Sequence, residues 1–305
     1  MPGDRLLSVH PLVPFKMQPF YSVLAQLVQP RRLTVTTDKL YQTKRFKFKF
    51  EAQHVKDIRA SLTKNVGGTH EFRVQVHLRF RLLDASPEQE DSYPSDMAVV
   101  VNGRCIALPK PLQSEVPGSI SGEVCLPINI VLCCFVSDRR VNTVIVDWCP
   151  LRGQEFAVGV FLVRKLSVTT LVAIMQHRRV HDTRAIVKQK LNLRACSYAV
   201  AIKRYHVSLL CPLSKTRMKV PCRAQSCAHL ECFDVFNYLQ INEDRPTWVC
   251  PVCGERAYYA SLVIDQLFLD ILKKEPGDFV LFQEDGSWTS SEEHQNCDSG
   301  PQLLR

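Results

Sequence analysis

The sequence predicts an α+β chain in which a β-sandwich precedes a small zinc-binding module that ends in a helical C-terminal extension. Three observations predict it. Apolar and polar residues alternate strictly over several runs of the first half. After about residue 168 the hydrophobic period lengthens to that of a helix. Six of the 13 cysteines, Cys211, Cys222, Cys227, Cys232, Cys250 and Cys253, fall within 43 residues. With 305 residues, 46% of them hydrophobic and 23% charged, the chain can bury two cores and is too apolar to be disordered throughout.

The sandwich is read strand by strand. KRFKFKF (44–50) sets Phe46, Phe48 and Phe50 opposite Lys47 and Lys49. FRVQVHLRFRL (72–82) sets Val74, Val76, Leu78, Phe80 and Leu82 opposite Arg73, Gln75, His77, Arg79 and Arg81. A period of two is what a strand half-buried against a core requires. MAVVVNG (97–103), VNTVIVDW (141–148) and FAVGVFLVRKL (156–166) are further strands, and the Pro/Ser/acid-rich stretches 84–96 and 108–122 separate them as loops. The arginines of 73–81 are read as the wet side of a sheet, because no aromatic residues interleave with them to stack on bases. His77 and His206 stand at no ligand spacing.

TTLVAIMQHRR (169–179) and DTRAIVKQKLNL (182–193), the second capped by Asp182, are predicted as two helices. YASLVIDQLFLDILKK (259–274) places Leu262, Leu267, Phe268, Ile271 and Leu272 largely on one face, predicting a single amphipathic helix that ends before Pro276. The resulting division is a tail (1–14), the sandwich domain (15–168), a helical connector (169–200), the zinc module (201–256), the extension (257–290) and a disordered tail (291–305).

Charge follows the same division. Residues 1–202 hold 28 basic and 16 acidic side chains, residues 203–275 hold 10 and 8, and residues 276–305 hold 1 and 6, so the net +9 is concentrated in the first half. MPGDRLLSVHPLVPF lacks a charged-then-apolar signal sequence, and the most apolar run, LPINIVLCCFV (126–136), is too short to cross a bilayer. The expectation is a soluble intracellular chain with no membrane partner, whose cysteines are thiols or metal ligands and not disulfides.

The metal ligands are read from spacing. Cys227-x-His229 is followed after twenty residues by Cys250-x-x-Cys253. Zn²⁺ takes four such donors in a tetrahedron, and close pairs on two loops supply them without strain. A site closed by four protein donors keeps no position for water, so one structural Zn²⁺ and no hydrolytic chemistry is expected. A RING finger needs eight ligands alternating between two sites. Here Cys227, His229, Cys250 and Cys253 fill the second site, while the pairs of the first read Cys211-Pro212-Leu213-Ser214 and Cys232-Phe233-Asp234-Val235. The spacing therefore predicts a RING-shaped module with its first zinc site vacated at Ser214 and Val235. Cys211 and Cys232 should lie near each other there, with hydrogen bonds and packing in place of the metal. Cys222 falls in no slot, and Trp248 is read as core.

With these residues in hand, the chain resembles the Siz/PIAS family of SUMO ligases over about residues 15–290. The resemblance rests on VSLLCPLSKTRMKVPCRAQSCAHLECFD (207–234), NEDRPTWVCPVC (242–253) and FQEDGSW (282–288) for the SP-RING. PFYSVLAQLVQP (19–30), QEDSYP (89–94), VNGRCIALP (101–109), VFLVRKL (160–166), RAIVKQKL (184–191) and the name motif Pro127-Ile128-Asn129-Ile130 resemble the PINIT domain and its connection. The resemblance implies a PINIT β-sandwich, an SP-RING holding zinc on Cys227, His229, Cys250 and Cys253, and a C-terminal extension. FVLFQEDG (279–286), which imitates a SUMO-interacting strand, is assigned to that extension. It further implies a ligase with no catalytic nucleophile of its own, the alternative being a non-catalytic transcriptional co-regulator or adaptor that retains the PINIT and SP-RING folds. Such a ligase binds the SUMO-charged conjugating enzyme and holds thioester, SUMO and substrate lysine together. The conjugating enzyme would meet the loops at Pro212-Leu213 and Pro251, with the helix near Tyr238 and Leu239 beside them. Substrates would be nuclear transcription and chromatin proteins, and the location the nucleus. The family's DNA-binding SAP box and its acidic SUMO-interacting tail find no counterpart in this sequence, so neither DNA binding nor non-covalent SUMO binding through them is expected.

Overall fold

The computed structural model describes residues 15–35, 39–64, 68, 70–83, 91–113, 123–178, 180–181, 184, 204–283 and 285–290. Two compact units divide at Leu166 and Ser167.

The first unit carries β1 (Tyr21–Leu33), β2 (Gln42–Lys49), α1 (Ala52–Ala60), β3 (Leu62–Lys64), β4 (His70–Phe72), β5 (Val74–Leu82), β6 (Ala98–Val101), β7 (Arg104–Cys105), β8 (Leu112–Gln113), β9 (Glu123–Val124), β10 (Ile128–Asn129), β11 (Val141–Trp148) and β12 (Phe156–Lys165). Two four-stranded sheets, ordered β1-β12-β5-β10 and β2-β11-β6-β7, make the sandwich that the alternation predicts. Phe46, Phe48, Val99, Val101, Val144 and Val146 from one sheet meet Val76, Leu78, Phe80, Val158, Val160 and Leu162 from the other in one core. Each such side chain contributes about 1.5–3 kcal/mol on burial. Asn102 and Gly103, both at positive φ (49° and 81°), form the tight turn between β6 and β7. The 127–130 run closes one sheet edge: Ile128 and Asn129 pair antiparallel with Leu78 and His77, and Ile128 and Ile130 are buried.

The outer face of β5 corrects the expectation of a wet side. Gln75, His77, Arg79 and Arg81 are all buried. Residues distant in sequence cover them. Arg79 forms a two-pronged ion pair with Asp91 (2.7 and 2.8 Å), donates to the Lys16 carbonyl and lies over the Phe15 ring. Phe15 packs edge-on against Phe161, and Tyr21 packs edge-on against His77 at 4.5 Å. His77 Nε2 is hydrogen-bonded to Gln75 Oε1, while its Nδ1 is buried without a partner. Burial, and then the Arg79 charge, push this imidazole down to about 3, so it is neutral.

The second unit carries α2 (Val168–Arg178), β13 (Val180–His181), β14 (Arg204–Ser208), β15 (Pro221–Ala224), β16 (Phe233–Asp234), α3 (Val235–Asp244), β17 (Leu262–Asp265), α4 (Gln266–Lys274), β18 (Phe279–Gln283) and β19 (Trp288–Ser290). Its sheets are ordered β13-β17-β15-β16 and β14-β18-β19. The helix expected at 169–179 is α2. The one expected at 182–193 lies, Arg184 apart, outside the described residues. The expected single helix over 259–274 is corrected: Tyr259–Ser261 form a 3₁₀ turn, Leu262–Asp265 a fully buried strand, and only Gln266–Lys274 the helix. Asp265 makes the change of structure, since its Oδ1 accepts the Phe268 N–H at 3.2 Å and caps α4. FVLFQ of β18 is the middle strand of its sheet, paired on both edges, and so belongs to the fold of the extension. Among the described residues no helix is long and apolar enough to cross a membrane.

Candidate metal centre

Cys227, His229, Cys250 and Cys253 present four donor atoms within 4.8 Å of one another. Cys227 lies just past β15, where its N–H closes a turn onto the Ala224 carbonyl. Cys250 and Cys253 sit on a tight loop after α3, bracketed by the Val249–Arg256 bridge. Two edges of the cluster test its size: Cys227 Sγ to Cys253 Sγ is 3.8 Å, and His229 Nε2 to Cys250 Sγ is 3.3 Å. A tetrahedron with Zn–S of about 2.3 Å and Zn–N of about 2.0 Å has edges of about 3.8 and 3.5 Å, so the donors fit zinc. His229 Nδ1 donates to the Glu231 carbonyl at 2.9 Å, which leaves Nε2 unprotonated toward the cluster. Burial first, and then the neighbouring thiols, push Cys227 up to about 12; burial also raises Cys250, against the N–H groups of Cys253 and Val252. Thiolates packed this closely are stable together only around a cation.

Asn242 and Trp248 aim the second ligand pair. Trp248 is buried, as read from the sequence, at a positive φ of 52°. The Asn242 side chain accepts its N–H at 2.7 Å, and its carbonyl accepts the Ala257 N–H at 2.8 Å, which together hold a backbone conformation costly for a tryptophan.

The loop at 211–216 repeats the loop at 250–255 bond for bond. Cys250 donates its N–H to the Glu255 carbonyl, Gly254 donates to the Cys250 carbonyl, and Gly254 has φ 75°. Correspondingly, Cys211 donates to Thr216, Lys215 donates to Cys211, Lys215 has φ 58°, and Leu210–Arg217 form the bridge. Ser214 thus occupies the place that Cys253 takes in the other loop. Here Ser214 Oγ is bonded to Thr216 Oγ1 (2.8 Å) and accepts from Asn237 Nδ2 (2.9 Å). Asp234 bridges the other partners. Its carboxylate accepts the N–H groups of Lys219, Val220 and Phe236, and its own N–H donates to Cys211 Sγ at 3.3 Å. Burial pushes the Cys211 thiol up, but bonds from the Asp234, Ser214 and Leu213 N–H groups and from Asn237 outweigh it, and the net shift is downward.

Cys211 and Cys232 are both buried free thiols, each with its own neighbours. Cys232 Sγ lies 3.8 Å from Asp265 Oδ2 beside Arg223, and Val235 opens α3 from a fully buried position. Cys222, without a slot in the spacing, is fully buried and within electrostatic reach of Cys211, Cys232 and Cys250. Arg223 is the residue that spacing missed. Its buried guanidinium pairs with Asp265 and donates to the His229 carbonyl at 3.1 Å, tying the metal loop to the start of α4. Nothing in RAQSCAH marks that arginine as internal.

The loops expected to meet a partner are half-buried at Pro212, Leu213 and Pro251. Tyr238 and Leu239 correct the expectation placed on α3: both are buried, with Tyr238 Oη donating to the Ala257 carbonyl. The apolar residues open to solvent there are Ile241 (46% exposed) on α3 and Val252 (37%) on the Cys250–Cys253 loop.

Sandwich and site together define a two-module zinc-finger protein. The PINIT domain family matches residues 12–164 and the MIZ/SP-RING zinc finger family residues 207–256. The chain belongs to the Siz/PIAS family. E3 SUMO-protein ligase PIAS3 of Homo sapiens is 39% identical over 284 residues, covering 92% of this chain and 45% of that protein. E3 SUMO-protein ligase PIAS2 of Homo sapiens is 38% identical over 291 residues, 94% of this chain and 47% of that one. The chain spans about half the length of the curated relatives it matches. The crystal structure of the S. cerevisiae SUMO E3 ligase SIZ1 is similar in fold, with a TM-score of 0.67 at 21% identity over 92% of this chain and 94% of that chain.

Proposed function

We propose that this chain is a SUMO-protein ligase holding one structural zinc. It would bind the SUMO-charged conjugating enzyme through the SP-RING and promote transfer of SUMO to lysines of nuclear transcription and chromatin proteins. The observation that carries the reading is the zinc-fitting cluster of Cys227, His229, Cys250 and Cys253, in a module whose 211–216 loop matches the 250–255 loop in backbone bonds, on a chain whose relatives are named SUMO-protein ligases. A metal held by four protein donors leaves no position for a reacting water, so the metal's part is to fix the loops. Pro212 and Leu213 on one loop, Pro251 and Val252 on the other, and Ile241 on α3 would form the docking surface. Catalysis would then come from holding thioester and lysine in one productive arrangement, worth several kcal/mol of barrier in principle.

A reconstituted SUMO transfer assay tests this with wild type, Cys250→Ser, Leu213→Ala and Ile241→Ala. Wild type should raise the transfer rate above that of conjugating enzyme alone. Cys250→Ser should abolish the gain with loss of zinc, and the two apolar truncations should reduce it with zinc retained. No gain from the folded, zinc-loaded wild type would refute the reading.

A further inference from the structure

The solvent face of the β2-β11-β6-β7 sheet carries two parallel lanes of different chemistry. Along β2, Arg45, Lys47 and Lys49 are exposed, at alternate positions about 6.8 Å apart. Register places Ile145 opposite Arg45, Thr143 opposite Lys47 and Val141 opposite Lys49. Val100 of β6 lies beyond Ile145. The second lane is therefore mainly aliphatic: Val141 is 51% exposed, Ile145 and Val100 are half-buried, and Thr143 stands half-buried between Val141 and Ile145.

Among the described residues the cations Arg45, Lys47 and Lys49 have no carboxylate partner within ion-pair distance. The carboxylates at the ends of the row are engaged elsewhere, Asp147 with the Thr43 hydroxyl at 2.5 Å and Glu51 in the cap of α1. Three like charges in one unneutralised row repel one another, and an acidic ligand relieves that repulsion. Lysines on an edge strand also hinder edge-to-edge aggregation, but that role does not call for the aliphatic lane beside them.

We propose that this face binds an acidic, extended protein segment with aliphatic residues among its carboxylates. The carboxylates would lie on Arg45, Lys47 and Lys49, and the aliphatic side chains on Val141, Ile145 and Val100. The aliphatic lane decides against nucleic acid. Phosphates would meet the cations, but among the described residues the strands β2, β11 and β6 carry no exposed aromatic ring for a base to stack on.

The test is direct binding to the full zinc-loaded chain, independent of SUMO transfer. The probe is a fluorescent peptide alternating glutamate with valine, read by anisotropy at two salt concentrations. Wild type should bind it, more weakly at higher salt, and several-fold less tightly when serine replaces valine. Lys47→Glu with Lys49→Glu should weaken binding about tenfold or more. The same reversed chain, shown to be folded by an unchanged unfolding midpoint, should gain affinity for a peptide alternating lysine with valine. Equal binding by wild type and reversed chain overturns the proposal. So does no binding, tighter binding of a single-stranded oligonucleotide, or a dimer of the chain that the reversal dissolves.

Discussion

Replacing Arg223 by methionine should cost the second unit several kcal/mol of stability. The guanidinium is buried, pairs with Asp265 and donates to the His229 carbonyl. Methionine fills similar volume but leaves the fully buried Asp265 carboxylate without its counter-charge. Breaking a buried pair by removing one partner costs about 3–5 kcal/mol, and the lost bond to His229 adds about 1 kcal/mol. The assay is guanidinium unfolding followed by zinc release to a chromogenic chelator, which reports the second unit alone. Arg223→Met should lower the stability by about 4–6 kcal/mol, and Arg223→Met with Asp265→Asn, which keeps an oxygen to cap α4, should recover much of it, because the orphaned charge is then gone. A single variant within about 1 kcal/mol of wild type, or a double variant no more stable than the single, would refute the reasoning.

Zinc stoichiometry should be one per chain by elemental analysis; Cys250→Ser should abolish it, and two zincs in wild type would contradict the slot reading. Acid should destabilise the first unit through His77. Its folded pKa, about 3, lies below its unfolded value, so from about pH 6.5 down to about 3 the unfolded chain binds the proton and the folded chain does not. Stability should therefore fall by about 1.4 kcal/mol per pH unit across that window, and His77→Gln should flatten this part of the profile in urea unfolding.

Much of this was legible in the sequence, and the exceptions have physical causes. Period two located β2 and β5 because alternation is a property of the strand itself, while β12, buried on both faces, showed as a continuous apolar run. It could not say whether the polar face of β5 meets water, because Phe15, Lys16 and Asp91 reach that face from elsewhere in the chain. β1 stayed hidden since its pairing with β12 shifts register three times and includes Pro30. The metal ligands were legible because coordination demands fixed residue types at short spacing. Arg223 was not, because a buried arginine is defined by its partners Asp265 and His229, 42 and 6 residues away.

The two loops of the SP-RING show which part of a zinc site belongs to the metal and which to the backbone. At both Cys211 and Cys250 the sulfur accepts N–H groups from the second and third residues that follow. That arrangement is local, so it survives at 211–216 with serine in place of the second cysteine. A metal adds the bond between loops, here joining the Cys227–His229 segment to Cys250 and Cys253. In the first loop the same task falls to Asp234 and Asn237, which reach Cys211, Ser214, Lys219 and Val220 from the start of α3. Asp234 also caps that helix, its carboxylate accepting from Phe236 and Asn237 while its N–H donates to Cys211, so one residue orients α3 and anchors the loop that carries Leu213. The docking surface proposed at Leu213, Val252 and Ile241 would therefore be positioned by hydrogen bonds on one side and by zinc on the other, each half depending on a different chemistry.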